Sequence, residues 1–104
     1  MTSDELLRQI KERLRSAHGR RLRGVVLYGS QALSLQRGDS DIDVLVLLED
    51  PIDYAKDLEA NLNALYPLAL ELNRRISAKP VSAAEYQTAD CPLYRTARAE
   101  GILA

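Results

Sequence analysis

The stretch from 41 to 49, DIDVLVLLE, constrains the fold more than any other part of the chain. It alternates between acidic and apolar residues and then becomes uniformly apolar, a pattern typical of a β-strand that is buried along most of its length. Because successive side chains of a strand point to opposite faces, Asp41 and Asp43 are predicted to share one face, and Ile42 and Val44 the other. A strand of this kind needs neighbours, so the chain is predicted to form a sheet.

Two further segments are predicted to be strands. Residues 22–28 contain the apolar core VVLY, which is bounded by Gly24 and Gly29, and this favours a buried strand over a helix. Residues 75–81 form a third strand, and Pro80 predicts that it is short or at an edge, because proline has no N–H to donate. The short link between the first two strands permits antiparallel pairing, and a helix in the next link permits a parallel crossover.

Helical signals occupy the rest of the chain. A first amphipathic helix is predicted over about 3–17, after the capping box Thr2-x-x-Glu5, and His18 is assigned to the turn that ends it. A short helical turn is predicted after Gly29. Asp50-Pro51 is predicted to begin the next helix, with the proline at its first position. Two short helices follow, one at the capping box Ser82-x-x-Glu85 and one from Pro92 to Gly101.

Pro67 interrupts the long central helix in the sequence. An interior proline removes one backbone hydrogen bond and clashes with the preceding turn. The pattern therefore predicts a kink or two abutting helices, about 53–65 and 67–74.

The order of these elements, α-β-(short α)-β-α-β-α, predicts the fold class. It is a small α/β domain with a mixed three-stranded sheet packed by helices. The 104 residues suit a single domain over 1–104. Hydrophobic residues make up 46% of the chain, and without Phe or Trp the core must consist of Leu, Val, Ile and Ala.

Several classes of protein are excluded by composition. The single cysteine, Cys91, cannot form an internal disulfide, and no apolar segment follows the polar start, so the expected compartment is the cytoplasm. No apolar run approaches the ~20 residues of a membrane-spanning helix. The net charge of -1 argues against nucleic acid as a partner.

Acidic residues concentrate in the middle of the chain. Residues 25–72 contain nine acids and two basic residues, whereas residues 1–24 contain three acids and seven basic residues. Within this block Asp53, Asp57 and Glu59 are interpreted as the solvated surface of a helix. Asp41 and Asp43 need another explanation, because neighbouring carboxylates on one face repel each other unless a cation lies between them.

A candidate site combines this acid pair with the turn after the first strand. Gly29 and Ser30 come directly after a buried strand and before a helical turn, where backbone N–H groups and a hydroxyl can face a phosphate. Without the downstream aspartates, a turn glycine and a helix-capping serine explain these residues equally well. Paired carboxylates near a phosphate-binding turn suit Mg²⁺ together with nucleotide phosphates. The pattern therefore indicates phosphoryl or nucleotidyl transfer.

The motif G-S-x10-D-x-D, embedded in YGSQALSLQRGDSDIDVLVLL, closely resembles the signature of the polymerase-β-like nucleotidyltransferase superfamily. The size of the chain is similar to that of the minimal nucleotidyltransferases, many of which are antitoxins paired with HEPN-domain toxins. The resemblance implies the nucleotidyltransferase fold, Mg²⁺ as cofactor and ATP or another NTP as substrate. It implies that Gly29 and Ser30 bind nucleotide phosphates and that Asp41 and Asp43 are catalytic metal ligands.

The resemblance also implies a reaction and a partner. The reaction is transfer of a nucleoside monophosphate, AMP where the substrate is ATP, to a hydroxyl, which a small helical HEPN-type toxin can supply. Active members of the family usually present a third carboxylate from the next strand, and Ser77 stands at the expected position here. The alternative is therefore a catalytically impaired antitoxin that acts by binding its toxin. A nucleotidyltransferase that modifies a small molecule is a further alternative, although such relatives normally need extra structure to hold the acceptor.

Overall fold

The computed structural model describes residues 3–28, 41–88, 91–100 and 102–103 of the chain. The first half contains α1 (Ser3–His18), a 3-10 turn (Gly19–Arg21), β1 (Leu22–Leu27) and β2 (Ile42–Leu48). The second half contains α2 (Tyr54–Leu72), β3 (Ile76–Ser82), α3 (Ala83–Thr88), α4 (Pro92–Glu100) and β4 (Ile102–Leu103). The helical turn predicted after Gly29 lies outside the described residues.

The strands form one mixed sheet in the order β3-β2-β1-β4. β1 pairs with β2 antiparallel, and β2 pairs with β3 parallel through the crossover helix α2. These pairings confirm the mixed three-stranded sheet and the edge position of the Pro80 strand. β4, which pairs with β1 through Leu27 and Ile102, is a fourth strand that the sequence did not predict.

The sheet is covered on both faces. One core lies between the sheet and the helices α1 and α2, and β2 contributes Ile42, Val44, Val46 and Leu48 to it. The other core lies on the side of α3 and α4, and β2 contributes Leu45 and Leu47. The side chains of β2 are therefore buried on both faces of the sheet. The uniformly apolar run over 44–48 predicts this.

The prediction that α2 breaks into two helices at Pro67 is wrong. A single helix runs from Tyr54 to Leu72 with the proline inside it. Pro67 cannot donate a hydrogen bond to the carbonyl of Asn63, one turn earlier. Both residues are exposed, so water can satisfy that carbonyl and the helix continues past the proline.

The prediction that Pro51 begins this helix is also wrong. Asp53 is the N-cap, and its side chain accepts a hydrogen bond from the Lys56 backbone N–H at 3.3 Å. An aspartate at this position satisfies one of the free N–H groups of the first turn. Pro51 lies before the cap, in a cis peptide bond with Asp50. At the other end Asn73 caps the helix in the left-handed conformation with φ of 53°.

The interpretation of Asp57 as helix surface is wrong as well. Its carboxylate is 5% exposed and accepts hydrogen bonds from Arg21 at 2.9 and 3.1 Å. Beside it His18 Nε2 donates to Asn61 Oδ1 at 2.6 Å, and Asn61 Nδ2 donates to the carbonyl of Ala78 at 3.0 Å. These polar groups join the end of α1, the middle of α2 and β3.

Candidate functional site

The candidate site lies at the end of the sheet where β2 and β3 begin. Asp41 immediately precedes β2, Asp43 is its second residue, and Ser77 is the second residue of β3. The parallel register places Asp43 directly beside Ser77. On the other side of Asp43, its carbonyl accepts a hydrogen bond from the Tyr28 backbone N–H at 3.2 Å. Tyr28, Asp43 and Ser77 therefore stand in one row across three adjacent strands.

The side chains of this row point to the face of the sheet that carries α3 and α4. Val26 and Leu45, two residues from Tyr28 and Asp43, and Val81, four residues from Ser77, belong to the core on that face. Alternation along each strand then places Tyr28, Asp43 and Ser77 on the same side. Lys79, two residues after Ser77, is exposed on this side too.

Burial and charge both act on the acid pair. Asp41 is exposed and Asp43 is half-buried. Burial raises the pKa of Asp43 above its usual value, the negative charge of Asp41 raises it further, and Lys79 opposes them. The pKa of the neighbouring Tyr28 hydroxyl is also raised, first by burial and then by the charge of Asp43. Negative charge at this end of the sheet is therefore costly in the absence of a cation.

The donor set fits Mg²⁺. Asp41 and Asp43 offer hard oxygen ligands, and a cation between them would relieve the repulsion just described. No group of three His, Cys, Asp or Glu side chains with metal-binding geometry exists within the described residues. Magnesium does not require one, since it commonly binds through one or two carboxylates and completes its shell with substrate phosphates and water.

The glycine and serine of the predicted phosphate-binding turn, Gly29 and Ser30, lie outside the described residues. Their role in binding phosphates remains a prediction, as do the catalytic and metal-binding roles of Asp41 and Asp43. Tyr28 is the last described residue before that turn and leads the chain to it from beside Asp43.

Sequence reasoning missed Lys79. The period-two rule that pairs Asp41 with Asp43 also pairs Lys79 with Ser77, and this signal was available in the sequence. Lys79 lines a cleft of about 640 Å³ that extends along the same face towards Asp50 and Tyr94. The ammonium group of Lys79 lies between the acid pair and this cleft, where it can bind a phosphate as a point charge.

Comparisons with known proteins identify a family and similar folds for the chain. The family model described as a nucleotidyltransferase domain matches residues 7–99. A comparison with curated proteins found no match. No helix in the described part of the chain is long and apolar enough to cross a membrane.

Among solved structures, three similar chains come from toxin–antitoxin complexes. A toxin–antitoxin crystallised with AMP-PNP has a TM-score of 0.64 and 25% identity, over 92% of this chain and 69% of the other. A complex of a tri-AMPylated Shewanella oneidensis HEPN toxin with an MNT antitoxin has a TM-score of 0.62 and 22% identity, over 96% and 69%. A toxin–antitoxin MntA-HepT complex has a TM-score of 0.56 and 20% identity, over 95% and 69%.

Proposed function

The chain belongs to the nucleotidyltransferase domain family, and from that premise we propose that it transfers a nucleoside monophosphate to a hydroxyl of a partner protein. The substrate is a Mg²⁺–nucleoside triphosphate, with ATP the donor and AMP the group transferred. The partner is a HEPN-type toxin, and the setting is the cytoplasm, which supplies ATP and Mg²⁺.

The observation that carries the proposal is the acid pair at the start of β2. Asp43 is half-buried beside Ser77 and feels the charge of Asp41, so this end of the sheet holds two interacting carboxylates. A family member that keeps such an electrostatically unfavourable pair gains nothing in stability from it. Binding of a cation together with a triphosphate is a function that explains the pair.

The choice of donor and acceptor is supported by the structural neighbours. The neighbour with 25% identity was crystallised with AMP-PNP, an analogue of ATP. Another neighbour is part of a complex whose HEPN toxin is tri-AMPylated. Extended to this chain, these two facts favour ATP as donor and a protein hydroxyl as acceptor.

In this mechanism the chain's own residues bind and orient. Asp41 and Asp43 would hold Mg²⁺, whose charge would offset the negative charge that develops on the phosphates. Gly29 and Ser30 receive the departing pyrophosphate through backbone N–H groups and a hydroxyl. Lys79 offers its positive charge on the same face. The chemistry then depends on positioning and electrostatic stabilisation, as is general for phosphoryl transfer.

A second candidate function is favoured by Ser77. Because Ser77 occupies the position beside Asp43, the described residues supply no third carboxylate to this row. Such a site can still bind nucleotide while lacking a group to take the proton of the acceptor hydroxyl. In this alternative the chain is an antitoxin that acts by binding its toxin.

The deciding experiment incubates the chain with labelled ATP, Mg²⁺ and a candidate HEPN-type toxin, for which a small helical protein encoded by a neighbouring reading frame is the first choice. Transfer of label to that protein is expected. Asp41→Asn should lower the transfer rate by at least ~10²-fold, the scale of losing one electrostatic group at a transition state. Asp53→Asn is the matched control, because asparagine caps a helix as well as aspartate and this residue stands outside the site.

The outcomes separate the two candidate functions. Equal transfer by Asp41→Asn and wild type would remove the acid pair from the mechanism. A complex that forms without any transfer of label would favour the antitoxin that acts by binding alone.

A further inference from the structure

The outer face of α2 exposes a row of large apolar side chains. Of the large hydrophobic residues in the described part of the chain, the exposed ones all lie on α2 and are Tyr54, Leu62, Tyr66 and Leu70, at 54%, 47%, 56% and 66% exposure. The last three are spaced by four residues and form one ridge on the helix surface. We call Leu62, Tyr66 and Leu70 the α2 ridge.

The centre of the α2 ridge carries no charge, and charged residues stand around it, among them Arg13 and Arg75 in the two flanking grooves. No Asp, Glu, Lys or Arg occurs between Ala60 and Leu70. The nearest charged residues on the helix are Glu59 and Glu71, which flank this uncharged stretch. The solvent face of an ordinary surface helix carries charged residues throughout. An uncharged centre with tyrosine and a charged rim is instead typical of the core of a protein–protein interface.

A groove runs along each side of the α2 ridge. The groove towards α1 measures about 490 Å³ and is lined by Arg13 and by small side chains, including Ser16, Ala17 and Ala64. The groove towards β3 measures about 180 Å³ and includes Ala69 and Ile76. A ridge of residues four apart, flanked by two grooves, is the shape that packs against another α-helix.

The α2 ridge ends close to the acid pair. α2 returns antiparallel to β2, so Leu70 lies at the end of the sheet where β2 and β3 begin. The groove towards β3 is closed there by Arg75 and Ile76, and the Arg75 carbonyl accepts a hydrogen bond from the Ile42 N–H at 2.8 Å. Ile42 stands between Asp41 and Asp43, so the groove and the candidate site lie at the same end of the sheet, on opposite faces of it beside the edge strand β3.

We propose that the α2 ridge docks an amphipathic helix of the protein that carries the acceptor hydroxyl. The helix would place apolar side chains at i, i+3, i+4 and i+7 in the two grooves. The side chains of the ridge and Tyr54 expose on the order of 400 Å², about half of the ~800 Å² that one partner contributes to a stable interface.

The position of the α2 ridge favours the acceptor-bearing protein as occupant over a second copy of the chain. A partner seated there reaches around β3 to Asp41 and Asp43, whereas a second copy would cover the ridge without presenting an acceptor. The identity of this partner rests on the proposed function, and the location of the surface does not.

The test measures, by titration calorimetry, binding of the chain to the candidate HEPN-type toxin of the transfer experiment. Tyr66→Asp and Leu70→Asp should each weaken binding by ~30-fold or more, the effect of losing one hot-spot residue. Gln87→Asp adds the same charge at an exposed position of α3, on the opposite face of the sheet, and should bind as wild type does. Leu70→Gln is a milder second variant in case an aspartate disturbs folding.

Two results would overturn the docking surface. One is equal binding by wild type, Tyr66→Asp and Leu70→Asp, or no binding by wild type. The other is a wild-type homodimer in sedimentation that the ridge variants dissolve. Stabilisation by Mg²⁺–ATP, measured on the same samples, reports the nucleotide site alone. If Mg²⁺–ATP does not stabilise the wild-type protein, the proposed function loses support, and the result on the docking surface still stands.

Discussion

Ser77 is the residue on which the chemistry of the candidate site depends. The register of β2 and β3 places it beside Asp43, within the row that faces α3 and α4. A serine cannot take a proton from an acceptor hydroxyl at neutral pH, and it does not add to the negative charge of the row. The site as it stands therefore favours binding over rapid turnover.

We predict that Ser77→Asp raises the rate of nucleotide transfer. Losing a general base typically costs ~10²–10⁴-fold, so a restored carboxylate should give a gain of at least ~10-fold in a labelled-ATP assay. Ser77→Asn has the same shape without the charge and should give none. A third carboxylate also repels Asp43, so Ser77→Asp should melt at a lower temperature than Ser77→Asn when Mg²⁺ is absent. A wild-type rate that neither variant changes would show that two aspartates suffice.

Arg21 is the most connected charged residue in the described structure. Besides its two hydrogen bonds to Asp57, it donates to the carbonyls of Glu49 and Pro51 at 3.2 and 2.8 Å. Arg21→Ala should lower the free energy of unfolding by roughly 2–3 kcal/mol, because it leaves a buried carboxylate without its partner, although partial exposure of the guanidinium moderates the loss.

The control for Arg21 is Arg23, which forms an ion pair with Glu49 at 3.1 Å between side chains that are 55% and 53% exposed. Arg23→Ala should change the free energy of unfolding by less than ~0.5 kcal/mol, since exposed pairs contribute little. Urea unfolding of the two variants measures the difference, and equal losses would contradict the assignment of Arg21 and Asp57 as a structural pair.

The same pair predicts how stability depends on pH. The hydrogen bonds from Arg21 hold the pKa of Asp57 below its usual value. A lowered carboxylate pKa contributes stability that is fully present above the unfolded-state pKa of about 3.9 and is lost as the pH falls through the folded-state value. Unfolding curves of Arg21→Ala should therefore depend less on pH below about 4 than those of wild type. Parallel pH profiles would contradict this.

At the scale of elements, α2 is held by its packing and caps in spite of Pro67. Pro67→Ala restores the missing N–H donor at an exposed position and should stabilise the protein by up to ~3 kcal/mol. The control is Asn63→Ala, which changes the side chain of the residue whose carbonyl Pro67 leaves free. It should raise the free energy of unfolding by only about 0.5 kcal/mol. Thermal unfolding compares them. A destabilised Pro67→Ala would mean that the ring itself packs usefully against its neighbours.

The types of the main elements could be predicted from local patterns. Alternation identified β2, β-branched residues identified β1, and the spacing of apolar residues identified α1. β4 was missed because two residues carry no periodicity. Pro51 does not begin α2 because Asp53 caps it, and the division at Pro67 is not found because the free carbonyl of Asn63 is exposed to water. The kink at Pro67 stays a prediction.

Contacts between residues that are distant in sequence could not be predicted from local patterns either. Asp57 looks like an ordinary surface acid until Arg21, which is distant in sequence, is found beside it. The neighbourhood of Asp43 and Ser77 was implied by the family resemblance, and the parallel register of β2 and β3 confirms it.

At the scale of the whole molecule, one unit carries both proposed surfaces. β2 holds the acid pair, α2 holds the α2 ridge, and β3 joins them at the edge of the sheet. Nucleotide binding and partner binding therefore depend on the same strand–helix–strand segment, and stabilisation of either should be felt by the whole domain.

We predict that Mg²⁺–ATP raises the melting temperature. A ligand at 100 times its Kd adds about 2.7 kcal/mol, which corresponds to a rise on the order of 10 °C for a domain of this size. Asp43→Asn should reduce this rise, while melting above wild type when no nucleotide is present, because it removes a carboxylate whose pKa is raised in the folded protein. Mg²⁺ without ATP is the control. A folded wild-type protein whose melting temperature saturating Mg²⁺–ATP leaves unchanged would contradict the nucleotide site.

The order β3-β2-β1-β4 also affects how the chain behaves while it is alone. Open edges of a sheet recruit strands from other molecules, and this is a common route to aggregation. Here β3 carries Pro80, which has no N–H to offer, and the opposite edge is the two-residue β4. Pro80 and the part of β1 that β4 covers, Val26 and Leu27, are poor templates for sheet growth. Cross-β growth through these positions is therefore disfavoured, and the free chain can accumulate in solution although one helix exposes an apolar face.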